Sequence, residues 1–354
     1  MELSRFDWVW VRLDLDKYSN IIQLPGQSID HSRADGAVGA LMKYYNNEGL
    51  WNTAGWWNSG NCLTSLLDYM RLTGTKTYLN DIVNTFDKGR HHAGSKDFTN
   101  DYIDDTGWWG LAWVRAFDLT NEQKYLDMAK YDADYMYSYH DNVCKGGLWW
   151  NNQKGYKNAI TNELFIKLAA SLHNRIKGDE KYLGQAVEVY NWFKGTGMIN
   201  GEHLINDGLD LKADCKPAGA TFTYNQGVIL GGLVELYKAK KEQAYLDDAK
   251  RIADAITKSG YFNKDGVLVE GVGEGDGCTG DGPSFKGIFM RNLGELNREL
   301  KDRPYQGYIN KVADSAYNHA RNAENQYGNK WLGPFKETAA ACQHGALDLL
   351  NSNA

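Results

Sequence analysis

The sequence predicts an all-α protein, an (α/α)6 toroid in which six inner and six outer helices alternate along the chain. The first observation is a repeated segment that begins with tyrosine and a branched aliphatic residue; its copies start at Tyr78, Tyr125, Tyr182, Tyr245 and Tyr308. The second is that intervening segments, such as residues 227–237, are apolar around most of their circumference. The third is the lack of sustained alternation with a period of two, which a substantial sheet requires.

The repeated segments are predicted to be the outer helices. In the copies at Tyr182 and Tyr245, apolar residues recur 1, 4, 7, 8 and 11 positions after the tyrosine, which places them on one buried stripe. The apolar segments between them are predicted to be inner helices, since a helix that is apolar all round belongs inside a larger protein. The twelve helices are predicted near residues 28–46, 55–73, 75–91, 105–119, 121–139, 159–177, 179–195, 224–240, 242–259, 284–301, 304–323 and 338–351.

The spacing of the repeat varies because glycine- and tryptophan-rich connections are inserted between an outer helix and the next inner helix. Examples are residues 91–105, 144–159 and 194–223. Connections that gather at one end of a scaffold are where binding groups tend to lie. We therefore expect a cleft at one mouth of the toroid. No linker rich in proline and serine interrupts the chain, so residues 1–354 are predicted to form a single domain.

Composition and charge exclude several classes of protein. The 354 residues carry 39 basic and 45 acidic side chains without a basic cluster, which argues against binding to nucleic acid or to an anionic membrane surface. The longest apolar stretch, residues 227–237, is too short to span a bilayer. Aromatic residues make up 13% of the chain, which fits either an aromatic core or a carbohydrate cleft whose rings stack on sugars.

The cysteines and the N-terminus favour a reducing compartment. The five cysteines are odd in number and widely spaced, so neither a disulfide framework nor a zinc site is expected; they are Cys62, Cys144, Cys215, Cys278 and Cys342. Residues 1–14 lack a basic stretch followed by an apolar one, so no secretion signal is predicted. We therefore predict a cytoplasmic location, or a secreted one if a signal has been removed.

Asp104 and Asp105 are the strongest candidates for catalysis, within residues 100–109 (NDYIDDTGWW) at the start of a predicted inner helix. Retaining glycoside hydrolysis needs two carboxyl groups about 5–5.5 Å apart, one ionised and one protonated. The helix N-terminus favours the ionised form of one carboxyl group, and like-charge repulsion raises the pKa of the other. The alternative is structural, since aspartate is a favoured N-cap and a second aspartate complements the helix dipole.

Three further clusters of aromatic and polar side chains occur at the start of inner helices, in residues 51–61, 221–227 and 281–291. Each alone is typical of a packed aromatic turn, but four clusters at equivalent positions predict one functional rim. Residues 271–282 are predicted to form a flexible rim loop, because their acidic residues lack the spacing of an EF-hand. The histidines are scattered and lack metal-ligand spacing, so no metal site is predicted.

At these motifs the sequence resembles glycoside hydrolase family 76, the endo-α-1,6-mannanases. Four blocks carry the resemblance, in the expected order between about residues 30 and 350: residues 104–113 (DDTGWWGLAW), 160–165 (ITNELF), 224–227 (YNQG) and 285–291 (FKGIFMR). The resemblance implies a catalytic (α/α)6 domain that cleaves α-1,6-linked mannose with retention of configuration. Asp104 would be the nucleophile and Asp105 the general acid/base.

The resemblance also implies an oligo- or polysaccharide substrate and neither a metal nor an organic cofactor. The residues predicted to contact the sugar are Trp57, Asn61, Trp108, Trp109, Tyr224, Asn225, Gln226 and Lys286. The sequence carries no indication of the oligomeric state.

Two alternative functions stay open from the sequence. An unsaturated-glucuronyl hydrolase shares the architecture and uses one aspartate. Its anionic substrate calls for basic residues among the aromatic ones, and Lys286 and Arg291 are the only obvious candidates. A non-catalytic glycan-binding protein would keep the tryptophans without needing both Asp104 and Asp105.

Overall fold

The computed structural model describes residues 31–354, and twelve α-helices occur in this part of the chain. They are α1 (Ser32–Met42), α2 (Trp56–Thr73), α3 (Leu79–Lys88), α4 (Ile103–Thr120), α5 (Gln123–Tyr137), α6 (Ala159–His173), α7 (Lys181–Gly195), α8 (Thr223–Lys240), α9 (Gln243–Lys258), α10 (Phe285–Glu299), α11 (Gln306–His319) and α12 (Ala340–Ser352). The start of the first predicted helix, at residue 28, and residues 1–14 lie outside the described residues.

The six even-numbered helices form a closed inner ring. Each of α2, α4, α6, α8 and α10 packs against the next even-numbered helix, and α12 packs against α2. The inner helices are buried on most of their circumference; in α6, every residue from 159 to 172 is buried. An outer helix buries one stripe, and in α9 this stripe comprises Tyr245, Leu246, Ala249, Ile252, Ala253 and Ile256. The predicted (α/α)6 toroid is confirmed.

Glycines allow close packing between neighbouring inner helices. A Cβ atom on Gly287 of α10 would lie 2.3 Å from the Cα atom of Gly345 in α12. A Cβ atom on Gly227 of α8 would lie 2.6 Å from the Cα atom of Phe289 in α10. Real Cβ contacts are longer than this, so any side chain at Gly287 or Gly227 would push the helices apart. These glycines bring the N-terminal halves of α8, α10 and α12 together.

Ion pairs occupy the interior of the ring. Lys167 Nζ lies 2.7 Å from Glu295 Oε2, and Arg115 also pairs with Glu295. Arg115 Nε lies 3.0 Å from Asp68 Oδ1. Charged groups taken out of water need partners of opposite charge to offset the cost of desolvation. The pairing explains how the charges of Lys167, Glu295, Arg115 and Asp68 are accommodated inside the ring.

Two short sheets lie in the connections between helices. Strands β1 (Lys157–Asn158), β2 (Gly208–Asp210) and β3 (Lys216–Ala218) pair antiparallel in that order, and β4 (Asn263–Lys264) pairs antiparallel with β5 (Val267–Leu268). Asn158 lies opposite Gly208, and Gly208 lies opposite Ala218. The larger sheet therefore ties the start of α6 to the long connection between α7 and α8.

The structure contains two disulfide bonds, so the expectation of no disulfide framework is wrong. Cys144 bonds to Cys215, and Cys278 bonds to Cys342, which leaves Cys62 as a buried free thiol. The partners are 71 and 64 residues apart, and the packing of neighbouring inner helices rather than local spacing brings them together. Disulfides persist in oxidising compartments, so the cysteines no longer support a reducing one. Within residues 31–354, no helix combines the length and apolar character needed to cross a bilayer.

Candidate active site

A cleft opens where the inner helices begin. Its volume is about 410 Å³, within the range of about 300–1,000 Å³ that is typical of ligand pockets. The described residues that line it are Trp57, Tyr102, Asp104, Asp105, Trp108, Trp150, Asn158, Tyr224, Asp281 and Phe285. They come from the starts of α2, α4, α8 and α10, the residue before α6, and the connections between helices. Each outer helix carries the chain back, so the inner helices all begin at this end.

Asp104 lies in the first turn of α4, and both of its carboxylate oxygens accept a hydrogen bond. The indole N–H of Trp150 donates to Oδ2 at 3.2 Å, and the backbone N–H of Asp105 donates to Oδ1 at 3.1 Å. Burial raises the pKa of Asp104 well above its usual value, and the neighbouring charge of Asp105 adds to this effect. The two hydrogen bonds act in the opposite direction, because they stabilise the ionised carboxylate.

Asp105 occupies a different environment one residue further along α4. Asn100 Nδ2 donates to its Oδ2 at 2.7 Å, and the Asn100 carbonyl oxygen accepts from the Tyr135 hydroxyl at 2.8 Å. The pKa of Asp105 is raised to about 7, chiefly by burial; the Asn100 hydrogen bond lowers this pKa and the negative charge of Asp281 raises it. A carboxyl group with a pKa near neutrality is suited to give up and take back a proton in one catalytic cycle.

A row of four aromatic rings runs beside the two carboxyl groups. The Trp57 and Trp108 rings are stacked with centroids 5.4 Å apart, and the Trp108 and Tyr224 centroids are 6.4 Å apart. Tyr224 stacks in turn on Phe285, with centroids 3.9 Å apart. At the outer end of the row, Trp57 Nε1–H donates to Asp281 Oδ1 at 2.8 Å. The cleft therefore combines flat apolar faces with acidic groups.

Five of the ten residues predicted for the site line this cleft: Asp104, Asp105, Trp57, Trp108 and Tyr224. Asn225 is buried directly behind Tyr224, where its Nδ2 donates to Asp207 Oδ1 at 3.3 Å. The other four predicted residues have their side chains in contacts within the protein.

Trp109 and Gln226 are fully buried. The Trp109 ring packs against Phe98, with centroids 4.8 Å apart, in the layer between α4 and the preceding connection. The Gln226 side chain accepts from the backbone N–H of Ile205 at 2.7 Å and donates to its carbonyl oxygen at 2.9 Å. These two side chains hold the walls of the cleft from behind.

Asn61 and Lys286 are also taken up by internal partners. Asn61 Oδ1 accepts from Arg291 Nη2 at 2.5 Å. Lys286 Nζ bonds to Glu274 and to the carbonyl oxygen of Asn329, the latter at 2.7 Å. Both side chains are about 1% exposed, which leaves no surface for direct contact with a ligand in this arrangement.

Trp150 and Asn100 were not predicted as site residues from the sequence, and Asp281 was placed in the rim cluster 281–291 and in the flexible loop 271–282 without a role of its own. Trp150 lies 46 positions after Asp104, in a connection recognised only by its glycines and tryptophans. Asp281 lies 224 positions after Trp57. No spacing along the chain signals such pairs, although tryptophan next to asparagine in residues 149–152 marks the right connection.

None of the described residues that line the cleft is basic. Lys286 is buried against Glu274, and Arg291 Nη1 lies 3.3 Å from Asp348 Oδ1 within the ring. A uronate in the cleft would lie near the carboxyl groups of Asp104, Asp105 and Asp281, and neither Lys286 nor Arg291 would offer it a positive charge. The geometry therefore argues against the unsaturated-glucuronyl hydrolase.

Two carboxyl groups side by side in an aromatic cleft can supply the acid and the nucleophile for glycosidic bond cleavage. The fold and the site together define a glycoside hydrolase. Residues 30–353 match the sequence profile of glycosyl hydrolase family 76, and the chain belongs to this family.

Curated relatives of this chain include fungal mannan endo-1,6-α-mannosidases. The chain is 31% identical over 325 residues to the enzyme DCW1 of Saccharomyces cerevisiae, and the alignment covers 80% of this chain and 66% of the relative. It is 30% identical over 321 residues to DCW1 of Eremothecium gossypii, and this alignment covers 82% of this chain and 69% of the relative. The chain thus spans about two thirds of the length of these relatives.

Solved structures of α-1,6-mannanases share the fold. The chain resembles the α-1,6-mannanase of Salegentibacter sp. HEL1_6 with a TM-score of 0.81 and 26% identity, covering 91% of this chain and 98% of the other. A variant of that mannanase in complex with α-1,6-mannotriose has a TM-score of 0.81 and 25% identity, over the same 91% and 98%. This variant is inactive and carries asparagine in place of two consecutive aspartates.

Proposed function

We propose that this chain hydrolyses α-1,6-linked mannose within mannan or manno-oligosaccharides, with retention of the anomeric configuration. The observation that carries the proposal is the half-buried pair Asp104 and Asp105 in an aromatic cleft, with the pKa of Asp105 raised to about 7. Two comparisons support it: the curated relatives are mannan endo-1,6-α-mannosidases, and replacing two consecutive aspartates accompanies inactivity in the Salegentibacter mannanase.

In the first step, an Asp104 carboxylate oxygen attacks the anomeric carbon and forms a covalent mannosyl ester. The bond from that carbon to the glycosidic oxygen breaks, and its electron pair stays on the oxygen. Asp105 gives its proton to the same oxygen, so the leaving mannose departs as a neutral alcohol.

In the second step, the Asp105 carboxylate removes a proton from a water molecule that attacks the anomeric carbon. The ester bond to Asp104 breaks and its electrons return to the carboxylate. Two inversions restore the original α configuration, and both side chains regain their starting protonation states.

The hydrogen bonds to the two carboxyl groups favour this division of roles, although burial raises the pKa of both groups and that of Asp104 strongly. Asp104 accepts hydrogen bonds from the Trp150 indole and from a backbone N–H in the first turn of α4, where the helix dipole also favours negative charge. Asp105 receives a single side-chain hydrogen bond and is affected by the negative charge of Asp281. We infer that when the pair holds one proton, the proton is on Asp105.

We also propose that the protein works in an oxidising compartment, outside the cytoplasm. Two disulfide bonds within residues 31–354 support this proposal, because thiols are kept reduced in the cytosol. Thiol labelling with and without prior denaturation and reduction tests it. One labelled cysteine in the unreduced, denatured protein from its native source supports the proposal, and five contradict it.

The proposed reaction is tested with linear α-1,6-mannotetraose, following the anomeric protons of the products by NMR. We expect shorter oligosaccharides whose newly formed reducing ends appear first as the α-anomer. A β-anomer formed first would contradict retention, and no cleavage would contradict the proposed activity. Asp104→Asn and Asp105→Asn should abolish cleavage, whereas the control Asp127→Asn, on the exposed face of α5, should cleave like the parent protein.

A further inference from the structure

A chain of buried hydrogen bonds lies beneath one wall of the cleft and takes no part in the proposed reaction. Asn58 Nδ2–H donates to Ser284 Oγ at 2.8 Å, and Ser284 Oγ lies 2.8 Å from His344 Nε2. His344 Nδ1 lies 3.4 Å from Asp348 Oδ2. All four side chains are at most 2% exposed. The chain joins α2, the segment before α10, and α12.

The Asp348 end of the chain sets the direction of its hydrogen bonds. A carboxylate next to Nδ1 favours the His344 tautomer that carries its proton there, which leaves Nε2 to accept from the Ser284 hydroxyl. Asp348 is fixed by the Ser65 hydroxyl, which donates to it at 2.7 Å, and by Arg291. Ser284 therefore accepts from Asn58 and donates to His344, so its position is fixed from both sides.

The hydrogen bonds run from Ser284 to His344 and from His344 to Asp348, as they do in a serine hydrolase triad, but these residues are not a second catalytic centre. A catalytic serine needs access to its substrate, and the side chains of Ser284 and His344 are fully buried. The Ser284 hydroxyl is also occupied by Asn58. The role of this chain must therefore lie in the parts of the protein that it holds.

Asn58 and Ser284, which form the first hydrogen bond of this chain, are each adjacent in sequence to a residue that lines the cleft. Trp57 precedes Asn58, and Phe285 follows Ser284. Asp281 lies at the start of the short 3-10 helix Gly282–Ser284, where its carbonyl oxygen accepts from the Ser284 N–H at 3.0 Å.

Two hydrogen bonds therefore tie the start of α2 to the start of α10. The outer one joins Trp57 to the exposed Asp281, where water competes for both groups. The inner one joins Asn58 to Ser284 in a buried environment, where an unpaired group is costly. The buried bond, and not the exposed one, is the one expected to hold the two segments in register.

We propose that His344 is a positioning residue of the cleft. Through Ser284 and Asn58 it holds the Trp57–Asp281 pair in place, and so it sets the affinity for the sugar residue that contacts this pair. This inference rests on the proposed function, because the sugar is taken to be α-1,6-linked mannose. Asp104 and Asp105 are held separately by Trp150 and Asn100, so loss of the chain should affect KM more than kcat.

The first test does not depend on turnover. The indole N–H signal of Trp57 is assigned in the NMR spectrum of the 15N-labelled protein by its loss in Trp57→Phe. In Ser284→Ala and His344→Leu we expect this signal to move upfield, because the hydrogen bond to Asp281 is weakened. His344→Gln places an amide near the position of Nε2 that accepts from Ser284, and should restore the signal. The matched control is Ser352→Ala, which removes a buried hydroxyl from the far end of α12.

The second test is the kinetics of α-1,6-mannotetraose cleavage by the same variants. Ser284→Ala and His344→Leu should raise KM about fivefold, the equivalent of one lost hydrogen bond. Their kcat values should stay within about twofold of the parent value, and His344→Gln should recover most of the KM. An unchanged KM with a lower kcat would contradict the proposal.

An unmoved Trp57 signal in Ser284→Ala would also overturn the proposal, whatever the activity. Ser284→Ala removes one oxygen atom, so it keeps the test decisive if the larger change His344→Leu prevents folding. If the parent protein cleaves no mannotetraose, the proposed function fails, but the Trp57 signal still decides whether His344 positions the cleft.

Discussion

Trp150 donates its indole N–H to Asp104 Oδ2 at 3.2 Å, across 46 positions of sequence. This hydrogen bond stabilises the ionised form of Asp104, which the proposed nucleophile needs, and it opposes the rise in pKa that burial causes. Trp150 also lies against Tyr102, with ring centroids 5.2 Å apart. The connection that precedes α6 thus supplies both an aromatic surface and a donor to the active site.

Trp150→Phe keeps an aromatic ring and removes the donor. Without it the pKa of Asp104 should rise further, so the acidic limb of the pH–activity profile should move to higher pH. We expect kcat to fall about tenfold, in line with the loss of a hydrogen bond to a charged group. Steady-state kinetics between pH 4 and pH 8 measure both effects. A lower kcat with an unmoved acidic limb would show that the ring, rather than the N–H, is what matters.

Asp281→Asn and Asn100→Ala should shift the alkaline limb of the profile in opposite directions. The general acid must be protonated, so activity should fall as pH rises through the pKa of Asp105, which is about 7. Removing the charge of Asp281 lowers this pKa and moves the limb to lower pH. Removing the Asn100 donor raises the pKa and moves the limb to higher pH.

Each of these shifts should be about 0.5–1 pH unit. Profiles of kcat/KM on mannotetraose measure them. Asp101→Asn is the matched control, because Asp101 is an exposed aspartate four positions before Asp105 and should leave the limb in place. Shifts in the same direction for Asp281→Asn and Asn100→Ala would contradict the assignment of the alkaline limb to Asp105.

Lys157 organises the connection that carries Cys144, and its removal should destabilise the protein strongly. The buried Nζ atom donates to Asp141 Oδ1 at 2.8 Å and to the carbonyl oxygens of Val143 and Gly146, each at 2.7 Å. Lys157→Met keeps the aliphatic stem but leaves these acceptors without their donor. We expect a loss of about 2–3 kcal/mol in the free energy of unfolding, because the buried carbonyl acceptors are left unpaired, whereas the Asp141 side chain is 34% exposed and regains water.

Urea denaturation followed by circular dichroism measures this loss. Lys130→Met is the control, because the exposed Lys130 lies 3.6 Å from the exposed Asp127 on α5. Its free energy of unfolding should change by less than about 1 kcal/mol. An equal effect of Lys157→Met and Lys130→Met would show that the buried contacts of Lys157 add little.

The helices and the catalytic pair were predictable from the sequence because both are local patterns. The stripe that starts at Tyr245 and continues to Ile256 needs only helical periodicity, and every apolar position named on it is buried. Asp104 and Asp105 are adjacent at a helix start, so their proximity follows from the chain itself. The sequence-based prediction is confirmed for the fold and the family, and the roles of the two aspartates remain predictions.

The other parts of the site depend on closure of the ring and on the direction of single side chains. Trp108 and Trp109 are adjacent, but successive residues on a helix point about 100° apart. Trp108 therefore faces the cleft while Trp109 packs in the core. The sequence of the two tryptophans alone does not show which of them faces the cleft. The Trp57–Asp281 contact and the Cys278–Cys342 disulfide join distant segments that only the assembled toroid brings together.

Asp132 makes the stability of the protein dependent on pH. Its side chain on α5 is fully buried, and neither carboxylate oxygen has a hydrogen-bond partner within the described part of the chain. Burial raises the pKa of Asp132 well above its usual value; Asp97 raises it further and Arg90 lowers it. The folded state therefore binds this proton more tightly than the unfolded chain does. Stability contributed by the protonated group is present below about pH 4 and is lost as pH rises toward the folded-state pKa.

Asp132→Asn removes the ionisation and keeps the shape of the side chain. The difference in free energy of unfolding between the variant and the parent protein should therefore favour the variant more at pH 8 than at pH 5. We expect this difference to grow by about 1 kcal/mol or more between the two pH values. Urea denaturation at the two pH values measures the difference. Asp134→Asn is the control: Asp134 lies two residues further along α5, is exposed and pairs with Lys181 at 2.6 Å. A pH-independent effect of Asp132→Asn would mean that a partner for the Asp132 carboxylate compensates its burial.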